Sequence, residues 1–199
     1  MLIVNKKVLD HFKKVDPIIY KAAIKIDLPD LVRADDYFVD LIQTIIGQQL
    51  SGKAADTIFG RFKDLMPAQK VTAENILKTK DEKIREAGIS YSKIKYIKGV
   101  AHEVLNNGLD LKKFDDQSDE VVREDLIKLK GIGPWSAEMF LMFSLGREDI
   151  FSPGDLGLKN GIKKLYGFKK DPTQQEMLHI SSKWKPYRTY ASRILWRTN

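Results

Sequence analysis

The sequence predicts an all-α fold. Apolar residues recur with a period near 3.6 in segment after segment, while alternating runs of the strand type are scarce. Internal repeats, low-complexity tracts and long linkers are all missing from the sequence. At 199 residues the chain can bury a real core, as one domain or as two intimately packed lobes.

The helices follow in order. Phe38, Leu41, Ile42, Ile45 and Ile46 keep the helical period, with Asp35 or Asp36 placed to cap them. After a break near Ser51-Gly52, the residues Ala54, Ala55, Ile58, Phe59, Phe62 and Leu65 repeat the pattern. Short helices are predicted at 72–78 and 80–87 and a longer one at 91–106. Ser118 or Asp119 starts the next helix, and helices at about 155–166, 173–183 and 186–197 close the chain.

Composition excludes several chemistries. Cysteine is absent, which rules out disulfides, zinc–thiolate sites and iron–sulfur clusters. Met1-Leu2-Ile3-Val4-Asn5-Lys6 is too short an apolar stretch for a signal peptide, and no apolar run is long enough to span a bilayer. The expected setting is intracellular (cytoplasm and nucleoid, or the nucleus in a eukaryote), with no membrane partner. The formal net charge is +7 and the pI about 9.3. Its location matters more than its size. Between Lys159 and Arg197 ten Lys or Arg face only Asp171 and Glu176, so that segment alone carries +8 and the rest of the chain is about neutral. Such a patch fits a polyanion partner or a lysine-rich solvated surface.

The most informative stretch is Leu126-Ile127-Lys128-Leu129-Lys130-Gly131-Ile132-Gly133-Pro134-Trp135. An apolar-periodic helix runs into Gly-Ile-Gly. Pro134 then stands at a first-turn position, which suits its locked φ and missing N–H. Gly131 and Gly133 are expected to take conformations closed to a Cβ and to leave their amides bare. Amides at a helix N-terminus bind anions, and a nucleic-acid phosphate is the anion the basic tail suggests. The stretch reads as a helix-hairpin-helix. A tight αα turn serving packing alone would use the same glycines.

Phe151-Ser152-Pro153-Gly154-Asp155-Leu156-Gly157 places one carboxylate at the start of the next helix. Asp155 can cap that helix. It can also stabilise a developing positive charge or activate water, and capping would hold it still for that task. Trp135, Trp184 and Trp196 lie late in the chain with Tyr187 and Tyr190, interleaved with Lys185, Arg188, Arg193 and Arg197. Rings at helical spacing build cores, and they also stack on bases. Gln48, Gln49 and Leu50 close an apolar helix, either as an ordinary polar helix end or as groups that read or replace a base within a duplex.

Taken together, these blocks resemble the helix-hairpin-helix DNA glycosylase superfamily, and within it the 3-methyladenine DNA glycosylase II branch. Phe38 to Arg61 is similar to the first family block, Leu126 to Phe143 to the hairpin block and Phe151 to Leu158 to the Pro-x-Asp block. The run Trp184-Lys185-Pro186-Tyr187-Arg188-Thr189-Tyr190-Ala191, ending in Ile194-Leu195-Trp196, resembles the branch's C-terminal signature. Four blocks in family order make the match specific.

The resemblance implies two helical lobes with a central cleft, drawn here at 34–149 and at 1–33 plus 150–199. It implies no N-terminal α/β domain of the kind larger members carry, since only some 35 residues precede the first block. Asp155 matches the catalytic carboxylate, and Gln48, Gln49 and Leu50 match the DNA wedge. Trp135 and Trp196 match aromatic walls of the base pocket, where Met139 and Leu156 replace tyrosines of a larger relative. Gly131, Gly133, Lys159 and Arg188 are the expected phosphate contacts. No cofactor is implied beyond a monovalent cation, sodium or potassium, held by the backbone carbonyls of Ile127, Leu129 and Ile132. In strand-cleaving members a lysine stands two residues after the last hairpin glycine. Here that residue is Trp135, so no Schiff base is expected there.

The implied activity is monofunctional. It flips bases of the 3-methyladenine or 7-methylguanine type from duplex DNA and hydrolyses the N-glycosidic bond. An abasic site is left for a separate endonuclease of base excision repair, and the enzyme is expected to act as a monomer. The alternatives are a non-catalytic helix-hairpin-helix DNA-binding module, or a monofunctional glycosylase for uracil, hypoxanthine or mismatches.

Overall fold

In a computed structural model of the chain, residues 4–106 and 108–198 are described. Met1-Leu2-Ile3, which entered the reading of the N-terminus, lie outside them. Among the described residues there are twelve α-helices and no strand, so the fold is all-α. None of these helices is long and apolar enough to cross a membrane.

Two compact units divide the chain: Ala34–Phe140, and Met1–Arg33 together with Leu141–Asn199. The sequence reading carried the first of these through residue 149. Residues 147–150 instead bond to the last helix of the discontinuous unit. Thr189 N–H donates to Glu148 O at 2.9 Å, and Ile150 N–H donates to Thr189 Oγ1 at 2.9 Å.

The continuous unit holds α3 (Tyr37–Gly47), α4 (Gly52–Asp64), α5 (Ala73–Lys78), α6 (Asp81–Glu86), α7 (Tyr91–Asn106), α8 (Asp119–Lys128) and α9 (Pro134–Met139). Asp36 caps α3 and Ser118 caps α8, which settles the two pairs of candidate caps. Helix α7 packs against α3, α5 and α6. The apolar face read from the sequence for α3 is buried there, Leu41, Ile42, Ile45 and Ile46, and so are Ile94, Ile97 and Val100 of α7.

The discontinuous unit holds α1 (Lys6–Val15), α2 (Pro17–Ala23), α10 (Leu156–Tyr166), α11 (Gln174–Ser182) and α12 (Arg188–Arg197). Its core joins Val8, Phe12 and Ile19 from the start of the chain to Leu158, Ile162, Trp184, Tyr190 and Ile194 from its end. One buried carboxylate knits those two ends. Asp16 caps α2, its Oδ1 accepting from the Ile18 and Ile19 amides. Its Oδ2 accepts from Tyr166 Oη at 2.6 Å and from Trp184 Nε1 at 3.0 Å. Burial and the neighbouring Asp16 push the Tyr166 phenol well above its usual pKa, so it stays a donor.

Asp16→Ala should therefore cost about 3 kcal/mol, since a cap is lost and two donors, the buried Trp184 and the partly buried Tyr166, are stranded. Tyr166→Phe should cost only about 1 kcal/mol. Urea unfolding followed by tryptophan fluorescence measures both, and equal small losses would show that the carboxylate holds nothing together.

Candidate active site

Asp155 is the N-cap of α10, and its Oδ1 accepts from Leu158 N–H at 2.7 Å. The same oxygen accepts from Trp196 Nε1 at 2.8 Å. A carboxylate at a helix N-terminus is favoured by the amides and by the dipole. It is also immobilised from two directions, with only 9% of the residue exposed. Gly157 makes this arrangement fit. A Cβ there would lie 2.7 Å from Trp196 Cδ1 and 3.1 Å from Asp155 Oδ1. The indole thus lies against the first turn of α10 because position 157 has no side chain.

Two exposed apolar side chains lie close by, one beside Asp155 in sequence and one against Trp196. Leu156 is 63% exposed. Phe143 is 46% exposed, and its ring meets that of Trp196 at 5.9 Å between centroids. The sequence reading missed Phe143 because Phe140-Leu141-Met142-Phe143 looks like a continuous core-facing run. The segment Phe140–Ser144 is a π turn, which shifts the apolar face and brings Phe143 out while Leu141 and Met142 stay buried.

The basic tail is partly spent on structure. Arg188 makes a bidentate pair with Asp149, Nε to Oδ1 at 2.7 Å and Nη2 to Oδ2 at 3.0 Å. Its Nη2 also donates to the Asp149 carbonyl at 2.7 Å. The fork expected to meet a phosphate thus holds an acid of its own chain. Lys159 lies on α10, one turn beyond the cap, with its ammonium 4.0 Å from Asp171 Oδ2.

In the continuous unit the hairpin joins α8 to α9. Gly131 has φ +93°, and a Cβ there would fall 2.3 Å from the Tyr96 ring, so glycine is required twice over. Gly133 differs from the expectation. Its backbone is extended, φ −96° and ψ 176°, with open space around the position, so the fold itself does not demand glycine there. Pro134 opens α9 as expected. Trp135 follows and is 46% exposed, whereas Met139 is buried.

The expected cation ligands can be judged by their chemistry. Ile127 lies in the last turn of α8, among the carbonyls a helix leaves without internal partners. Leu129 O accepts from Ile132 N–H at 3.1 Å and keeps a second lone pair. Neutral oxygens at the negative end of a helix suit a singly charged cation.

Gln48, Gln49 and Leu50 lie between α3 and α4. Gln48 Nε2 donates to Gly131 O at 2.9 Å and to Ser136 Oγ at 3.2 Å, so this amide is committed to the hairpin. Gln49 and Leu50 are exposed. A further residue that the sequence reading did not single out, Lys93 of α7, donates to Ile46 O at 2.8 Å and to Gln48 O at 2.5 Å. Burial lowers the pKa of its ammonium.

A glycine hairpin between helices, with a helix-capping aspartate after a Pro-Gly turn in the same chain, defines a helix-hairpin-helix protein of the DNA-repair type. The chain belongs to the HhH-GPD superfamily of base excision DNA repair proteins, whose profile matches residues 42–186. It is 37% identical over 164 residues to a DNA-3-methyladenine glycosylase 1 of Schizosaccharomyces pombe, covering 81% of this chain and 72% of that protein. The crystal structure of a DNA-3-methyladenine glycosidase from Bacillus halodurans is similar at a TM-score of 0.85 and 34% identity, covering 99% of this chain and 90% of that one. A 3-methyladenine DNA glycosylase of S. pombe in complex with abasic DNA is similar at a TM-score of 0.85 and 31% identity, covering 96% of each chain.

Gly157→Ala should destabilise the protein by about 1–3 kcal/mol, the usual range for an overpacked contact. In a Trp196→Ala background most of that cost should vanish, because the ring the methyl strikes is gone. A double-mutant cycle by urea unfolding measures this, and an unchanged cost would locate the clash elsewhere.

Proposed function

We propose that this protein is a monofunctional DNA glycosylase that removes alkylated bases from duplex DNA and leaves an abasic site. The observation that carries the proposal is the setting of Asp155. It is one carboxylate held by a helix amide and by the N–H of the half-buried Trp196 indole, with the exposed side chains of Leu156 next to it in sequence and Phe143 against that indole.

A damaged base inside a duplex must first be flipped out, at a cost of about a few kcal/mol. Alkylation at a ring nitrogen makes the base cationic and already a good leaving group, so no strong general acid is needed. Asp155 stabilises the oxocarbenium-like sugar and helps orient the attacking water, an electrostatic role with no covalent intermediate. By the family resemblance Trp196, with Leu156 beside Asp155, is assigned the electron-poor ring, which an indole attracts through its π face, and Trp135 and Met139 are carried over as further base-pocket residues. The Gly131 and Gly133 amides and Lys159 hold phosphates, which fix register without reading sequence. A sodium or potassium ion on the carbonyls of Ile127, Leu129 and Ile132 would add positive charge for a phosphate. The partner is duplex DNA, the protein acts as a monomer, and the abasic product passes to a separate endonuclease.

Asp155→Asn keeps the shape and the capping ability but removes the charge. Single-turnover release of 3-methyladenine should fall by roughly 10²–10³-fold, with binding to an abasic-analogue duplex retained. A variant within tenfold of wild type would remove Asp155 from this role.

Trp135 offers no amine where strand-cleaving members place lysine. Borohydride should therefore trap no enzyme–DNA adduct, and product strands should break only after alkali or heat. Efficient trapping at neutral pH would reveal another amine acting as nucleophile and end the monofunctional reading.

A further inference from the structure

The link between α3 and α4 makes a turn that a glycine would ordinarily serve. Gln48 has φ −50° and ψ 133°, Gln49 has φ +60°, and Leu50 N–H donates to Gly47 O at 3.1 Å. Those are the features of a type II turn, whose third position favours glycine or asparagine. A glutamine in the left-handed region is strained, and such a residue persists only where its surroundings over-determine it.

Two side chains supply that constraint. Lys93 reaches across from α7 and donates to the carbonyls of Ile46 and Gln48. Its ammonium thus sits at the C-terminal end of α3, where carbonyls lack helical partners and the dipole is negative. Gln48 turns its amide the other way, into Gly131 O of the hairpin and Ser136 Oγ of α9. The turn is gripped by its backbone and by its own side chain, while Gln49 stands exposed and Leu50 is 39% exposed.

We infer that Lys93 and Gln48 are positioning residues. They clamp the strained Gly47–Leu50 turn so that Gln49 and Leu50 are presented, preformed, to the gap a displaced nucleotide leaves in duplex DNA. Gln48 also couples that turn to the phosphate-binding hairpin. A link serving packing alone would gain from glycine at position 49, since relief of strain there costs no buried contact. Retaining a long side chain in a left-handed conformation, with a lysine spent on holding it, fits a group that must arrive already aimed. The inference rests on the glycosylase reading for what the turn enters, but not for the clamp itself.

The test uses the full-length protein and a duplex carrying a tetrahydrofuran abasic analogue opposite 2-aminopurine, whose fluorescence rises when an inserted side chain unstacks it. Excision from methylated duplex is followed in parallel under single turnover. Lys93→Met should lose most of the fluorescence rise and fall roughly tenfold in saturating excision rate, equivalent to about 1.4 kcal/mol, at unchanged half-saturation. Lys93→Arg, which can still donate, should regain much of both. Gln49→Gly should show the same losses while melting no lower than wild type, so the proposal stays testable even if Lys93→Met folds poorly. A full rise and full rate in folded Lys93→Met and Gln49→Gly would overturn the clamp. Asp155→Asn separates the two readings, for it should keep the whole fluorescence rise while releasing almost no base. A wild-type rise without any base release would sink the glycosylase reading and leave the clamp standing.

Discussion

The helix that Asp155 caps ends at Tyr166, and one buried carboxylate holds that far end. Asp16 accepts from Tyr166 and from Trp184 while capping α2, which binds the start of α2 to the end of α10 and to Trp184. A side-chain network across sequence separations of 150 and 168 residues closes a discontinuous unit that local propensity alone would leave open. With α10 pinned at its C-terminal end, its first turn becomes a fixed platform. The same device then recurs at the other end: an aspartate caps a helix and receives an indole N–H, now Asp155 with Trp196. In one place the device is wholly structural. In the other it leaves a carboxylate among the exposed side chains of Leu156 and Phe143.

The hairpin and the turn after α3 follow a related logic. Each uses backbone that is costly in ordinary sequence, Gly131 at φ +93° and Gln49 at φ +60°, and each is held by groups distant in sequence. Gln48 links the two, so the element proposed to hold phosphate and the element proposed to enter the helix form a single hydrogen-bonded arrangement. Preorganisation of this kind places the structural cost in folding rather than in the encounter with DNA.

Much of this was legible in the sequence. The helical faces of α3 and α4, the span of α7, the caps at Asp36 and Ser118, and the cap at Asp155 follow from periodicity and from the chemistry of short polar side chains. What escaped depends on partners far along the chain. Helices α1 and α2 are short, and their apolar residues find their core only against the C-terminal segment. Arg188 reads as a free cation until Asp149, 39 positions away, occupies its fork. Lys93 reads as one more exposed lysine until it meets Ile46 of α3 and Gln48 just after it, 47 and 45 positions back. Phe143 was hidden by a π turn, which breaks the period that sequence reading relies on. Gly133 was assigned a conformational need that its extended backbone does not have.

The central claim is that this chain cuts the glycosidic bond of cationic bases and nothing else. Duplex DNA treated with a methylating agent and incubated with wild-type protein at neutral pH tests it, with the released bases separated by chromatography and the strands by denaturing gel. The account predicts free 3-methyladenine or 7-methylguanine and strands that remain whole until alkali is added. Absence of any released base, or strands cut without alkali, would contradict it.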